Sequence, residues 1–118
     1  MKAVLCKSFG PPENLVIEEI PNPIVGDNDV LIDVHCAGIN YPDTLIIQNK
    51  YQFKPPLPFT PGSEVSGIAE EVVKNVKHIT AGDEVMGFSM VGGFALKMEA
   101  LKIKSNKEAV NIFFSYFN

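Results

Sequence analysis

Gly62-Ser63-Glu64-Val65-Ser66-Gly67 has the glycine spacing of a loop that wraps phosphate. Such a loop needs a lysine after its last glycine to meet the phosphate charge, then a hydroxyl. Ile68 stands where the lysine must be, so the phosphate reading fails. No G-x-G-x-x-G run occurs either. Metal donors are sparse. A catalytic zinc site takes three protein ligands, mostly thiolate and imidazole. The only histidines are His35 and His78, far apart in sequence. His35, Cys36 and Glu64 can be assembled on paper, but neighbours on a strand point to opposite faces. No metal is therefore expected, and His78 reads as a solvated loop residue. Nothing resembles a nucleophile elbow. The pairs Glu18-Glu19 and Glu70-Glu71 lie on strand-like segments and read as solvated faces. Cys6 and Cys36 form no C-x-x-C pair, and each reads as a small buried apolar residue.

The elements around these residues are mostly strands. Nine glycines and nine prolines punctuate short apolar runs, which suits a barrel or sandwich. Strands are expected from Lys2 to Phe9 and from Leu15 to Ile20. Gly26-Asp27-Asn28-Asp29 is a turn. From Val30 the alternation places Val30, Ile32, Val34 and Cys36 on one face, with Asp33 and His35 on the other. Tyr41 to Gln48 fits a short helix with Pro42 in its first turn. Lys54 to Gly62 contains Pro55, Pro56, Pro58 and Pro61, so it must be an extended, rigid loop. Val65 to Val73 is a further strand in which Gly67 marks a bulge or a close backbone approach. Ala81-Gly82-Asp83 is a turn before Glu84 to Phe88, and Gly92-Gly93 introduces Phe94 to Met98.

The end of the chain changes character. Ser105-Asn106-Lys107-Glu108 has the form of a capping box. Ala109, Ile112, Phe113 and Tyr116 follow at helical spacing, and Val110, Phe114 and Phe117 cover much of the remaining surface. A helix over 106–117 would be apolar nearly all round and must be buried or bound.

Size and charge set the class. The chain has 118 residues, enough for one core. Its composition is 46% hydrophobic and 20% charged, ordinary for a globular protein. The formal net charge of -4 argues against nucleic acid, which favours a basic stripe. No apolar run approaches the roughly 20 residues that cross a bilayer. The short start Met1-Lys2-Ala3-Val4-Leu5-Cys6 is no signal peptide, so a cytoplasmic protein is expected.

Several segments resemble the medium-chain dehydrogenase/reductase superfamily. They are Cys36-Ala37-Gly38-Ile39-Asn40-Tyr41-Pro42-Asp43, Pro61-Gly62-Ser63-Glu64-Val65-Ser66-Gly67, Gly82-Asp83-Glu84-Val85 and Gly92-Gly93-Phe94-Ala95. The opening Met1-Lys2-Ala3-Val4 and Gly10-Pro11-Pro12-Glu13 are similar to its quinone oxidoreductase branch. The order and spacing carry the resemblance over residues 1–96, leaving 97–118 as a divergent tail. Zinc alcohol dehydrogenases carry a cysteine ligand where this chain has Asn40, and a histidine where it has Ser63. The zinc-independent group is the one it looks like.

The resemblance implies a mainly β fold: a GroES-like irregular β-barrel with one or two short helices. It implies hydride transfer from NADPH to a small-molecule quinone or enone. Asn40, Tyr41 and Tyr51 fall on the family's active-site segments. Asn40 would orient nicotinamide or substrate, and Tyr41 and Tyr51 would contact the substrate. Family enzymes continue into a Rossmann domain of about 150 residues, which is absent here. The isolated chain is therefore expected to hold no cofactor tightly, with no zinc, and to be inactive. The alternative is a stand-alone GroES-like binding module. The tail is an altered end, a cover for surface left open by the missing domain, or a contact that pairs two copies.

Overall fold

The computed structural model describes residues 1–100 and 102–105. Seven strands dominate it: β1 (Lys2–Leu5), β2 (Val16–Glu19), β3 (Val30–Gly38), β4 (Glu64–Val72), β5 (Glu84–Phe88), β6 (Lys97–Ala100) and β7 (Lys102–Ser105). One α-helix, α1 (Tyr41–Ile46), follows β3. A single 3-10 turn spans Pro12–Asn14. The fold is mostly β, as the sequence leads one to expect. The expected helix over 106–117 lies outside the described residues.

β1 and β2 form a two-stranded sheet, and the other strands form one antiparallel sheet in the order β6-β3-β4-β5-β7. That order closes the sheet. β6 and β7 lie on its two edges, yet only Leu101 separates Ala100 from Lys102. Two peptide units span at most about 7.6 Å. A flat sheet of this width would hold its edge strands about 19 Å apart. The sheet must therefore curl until its edges meet, which makes a barrel.

The barrel interior is filled by Val30, Ile32, Val65, Ala69, Val85, Met98 and Ala100, with Ile79 beneath. Gly87 faces inward from β5. A side chain there would run into the Ile32 side chain and come within 3.0 Å of the Ala100 Cβ. β6 and β7 lie in what reads from sequence as the divergent tail, and the sheet runs on through them to Ser105.

Three local expectations change. β1 stops at Leu5, not Phe9, because Cys6 turns to exchange backbone hydrogen bonds with Phe59 of the proline-rich loop, at 2.8 and 3.2 Å. β3 does not alternate throughout. Its register against β4 shifts between Leu31 and Ile32 and again between Val34 and Cys36. The second shift leaves His35 as an extra residue, which displaces the alternation by one. Cys36 is consequently exposed rather than buried beside Val34. For the same reason the opposed-face argument about His35 and Cys36 does not hold, since both are exposed. Gly67 supplies the room for this bulge: a Cβ there would strike the Asp33 carbonyl oxygen and approach the His35 nitrogen to 3.1 Å.

Candidate functional site

The site is built where β3 leaves the barrel and α1 begins. Asn40 is the residue before the helix, with extended backbone (φ -119°, ψ 159°). Its N–H donates to Asp43 Oδ2 at 2.8 Å, and its carbonyl accepts the Asp43 N–H at 3.0 Å. These two bonds fix the turn and satisfy backbone groups that a helix start leaves open. Pro42 fits because its missing N–H would have no partner there. Asp43 is 4% exposed, and its second oxygen, Oδ1, is buried without a hydrogen-bond partner. A charged carboxylate next to positive helix-end dipoles is favourable, which offsets part of that cost.

This anchoring presents two side chains. Tyr41 is 74% exposed and Ile39 80%. Tyr41 therefore does not pack as a core-edge residue. Its carbonyl accepts the Thr44 hydroxyl at 2.7 Å, which ties down its backbone while the ring stays free. Tyr51 lies in the loop that follows α1. It is partly buried against the second core, formed by Cys6, Ile46, Ile47 and Phe59. Asn40 and Tyr41 are thus brought together, whereas Tyr51 is held by a different packing unit. Burial pushes the Cys6 thiol up, opposed in part by a hydrogen bond with the Ser8 backbone. Such a thiol is a packing group rather than a nucleophile.

The loop before β4 adjoins this turn through the Gly38–Glu64 pairing. Thr60 to Ser63 is fastened to the 89–94 segment by four backbone bonds. Gly92 donates to Thr60 at 2.7 Å, and Phe94 to Pro61, Gly93 to Gly62 and Ser89 to Ser63 at 2.9 Å each. Gly62 has φ +98°, and a Cβ there would lie 2.6 Å from the Phe94 ring, so only glycine fits. Gly62 to Gly67 leads into strand β4 rather than a helix, so it offers no phosphate cradle. Glu64 is paired with Gly38, and its side chain lies over the Gly38 Cα. Any side chain at Gly38 would displace that carboxyl. The Gly38–Glu64 contact, which sequence spacing does not reveal, ties this loop to the β3–α1 turn.

Elsewhere, Glu18 and Glu70 are engaged by Lys7 and Lys97, and Glu19 by the Met1 amine. They are solvated ion pairs, not an acid–base site. His78 is exposed with Nε2 3.2 Å from the Ile103 carbonyl. Among the described residues no three of His, Cys, Asp and Glu gather as a metal site. None of the described helices is long and apolar enough to cross a membrane.

Residues 26–111 match the family described as the alcohol dehydrogenase GroES-like domain. Quinone oxidoreductase-like protein 2 of Rattus norvegicus is 42% identical over 88 residues, covering 75% of this chain and 25% of that protein. Quinone oxidoreductase of Homo sapiens is 43% identical over 97 residues, covering 80% and 30%. The crystal structure of Escherichia coli quinone oxidoreductase complexed with NADPH superposes with a TM-score of 0.83 at 30% identity. It covers 89% of this chain and 33% of that one. The chain thus spans about a quarter to a third of the relatives it matches.

Proposed function

The chain belongs to the alcohol dehydrogenase GroES-like domain family, and from that premise we propose that it is the substrate-side half of a zinc-independent NADPH:quinone or enone oxidoreductase. NADPH, when bound, supplies a hydride. The chain's own residues would hold and polarise the acceptor. A carbonyl that receives hydride develops negative charge on oxygen, and hydrogen-bond donors aimed there lower the barrier. The Tyr41 hydroxyl and the Asn40 amide are such donors. Asn40 would also meet the nicotinamide end of the cofactor, and Tyr51 would contribute the far wall of the acceptor pocket.

The reading needs no metal. Asn40 and Ser63 are neutral and supply neither thiolate nor imidazole. The observation that carries the proposal is the exposed Tyr41 ring beside an Asn40 backbone locked by Asp43. A tyrosine held at a rigid turn with nothing to pack on is what one wall of a cleft looks like before the other wall is added. Binding of the dinucleotide phosphates falls to a second domain, because Gly62 to Gly67 runs into a strand. The chain alone would then have little reductase activity. Its surroundings would be cytoplasmic.

A chimera tests the proposal. Residues 1–100 would replace the corresponding part of human quinone oxidoreductase. The expected result is quinone-dependent NADPH oxidation that falls on the order of 100-fold on Tyr41→Phe, the usual cost of one oxyanion donor. A folded chimera that binds NADPH and turns over equally well with Phe at that position would exclude the role of Tyr41.

A further inference from the structure

β2 is an open edge. Among the described residues it pairs with β1 alone, in the register Lys2↔Glu19, Ala3↔Glu18, Val4↔Ile17 and Leu5↔Val16. Just beyond that register, Ile20 and Met1 exchange both backbone bonds, at 2.8 and 2.6 Å. Such exchange recurs at every second residue of an antiparallel pair. Glu18 and Val16 therefore turn their N–H and C=O towards β1, and Ile17 and Glu19 turn theirs away. β1 shows the same phase from its other side: Lys2 accepts from Leu96, Val4 donates to Phe94, and Cys6 bonds with Phe59. β1 is thus bonded along both edges and β2 along one. The outward N–H and C=O groups of Ile17 and Glu19 bond to no other described residue. All of β2 is exposed, and neither a bulge nor a proline interrupts it. An edge of that kind is a template for one more strand.

The surface beside this edge favours one side-chain pattern. Ile17 and Glu19 share one face of β2. On that face a hollow of about 360 Å³ opens, lined by Val4, Ile17, Phe94 and Leu96, with Lys2 and His35 also on its wall. Ile17 is 71% and Leu96 53% exposed. An added strand would lie about 4.8 Å from β2. Its residue opposite Ile17 would cover apolar surface. Its residue opposite Glu19 would meet a carboxylate whose side chain is 70% exposed. The cations near Glu19, the Met1 amine at 3.3 Å and Lys2 opposite it, belong to the β1 side, so the open side lacks a counter-charge. A second copy supplies none: it would set one net charge of -4 against another. We infer that β2 accepts, as a third strand, an extended segment of another protein, apolar at one position and basic two positions away. The backbone ladder provides the attachment, and the hollow and Glu19 provide the selectivity.

Amide hydrogen exchange of the 118-residue chain, read by NMR, tests this. The probe is a capped heptapeptide, TKTVTKT, which presents lysine two positions from valine in either strand direction. With about 1 mM peptide, the Ile17 and Glu19 amides should exchange about tenfold more slowly. The Glu18 amide, already bonded to β1, should change little. The same peptide methylated on its valine and lysine amide nitrogens keeps its side chains and loses its ladder donors, so it should give no protection. With glutamate in place of both lysines, protection should fall about tenfold. Unchanged Ile17 and Glu19 exchange with the first peptide overturns the inference. Equal protection by the methylated peptide overturns the strand mode, and equal protection by the glutamate peptide overturns the basic partner. Protection that appears without peptide and grows with chain concentration assigns the edge to a second copy and also overturns it. Every control alters the peptide, so the chain itself stays intact throughout.

Discussion

Asp43 shows how far one residue type determines local structure here. The sequence suggests an acidic residue near a helix start, with Pro42 before it. The structure adds that Oδ2 holds the Asn40 N–H while Oδ1 stays buried and unpaired. Cys36 is the opposite case. Its expected burial followed from residue type, and alternation put it on the Val34 face; one extra residue in β3 cancels that placement. A bulge depends on the partner strand, so residues 30–38 read alone could not reveal it. Glu99 carries a third residue-scale consequence. A hydrogen bond with Asp29, then burial and the Asp29 charge, raise its pKa above 4.5, and the Gly26 backbone lowers it in part. Its folded pKa is higher than its unfolded one, so the native state binds the proton more tightly. The stability this provides is complete below about pH 4.5 and is lost as pH rises through the folded value. Glu99→Gln should therefore raise the unfolding free energy at pH 7, read from urea denaturation, by up to about 1 kcal/mol for a partly solvated pair. The gain should vanish near pH 4. An equal gain at both pH values would remove the Asp29–Glu99 repulsion as its cause.

Turns and strands were the more legible scale. Gly82 has φ +96° in the Ala81-Gly82-Asp83 turn, and Asp83 Oδ2 accepts the Thr80 N–H at 2.9 Å. The helix begins at Tyr41 as its proline suggests, and the four prolines after Lys54 form no regular element. Boundaries were less legible wherever a strand exchanges partners, as at Cys6. Gly67 was legible as a close approach, though not as the glycine that admits the His35 bulge. Gly67→Ala would drive a methyl into the Asp33 carbonyl, which is backbone and cannot rotate away. We expect a loss of roughly 1–3 kcal/mol, typical of overpacking, in chemical denaturation. Gly82→Ala, where a Cβ would meet nothing within 4 Å but φ is +96°, would report backbone strain without a clash. If Gly67→Ala left the denaturation midpoint unchanged, the bulge would not depend on that contact.

Across the whole molecule, barrel closure follows from topology: Ala100 and Lys102, one residue apart in the chain, lie on opposite edges of one sheet. No periodicity contains that information, because it depends on which strands pair. The family resemblance supplied it instead, and the GroES-like domain match confirms the family. The site was legible in part. Asn40 and Tyr41 adjoin in sequence and on the turn, while Tyr51 packs against the second core. The central claim is that this chain presents the acceptor side of an active site and leaves the cofactor to be held elsewhere. Calorimetric titration of the 118-residue chain with NADPH tests it most directly. The account predicts no binding tighter than about millimolar, since no phosphate cradle exists among the described residues. A micromolar dissociation constant would contradict it.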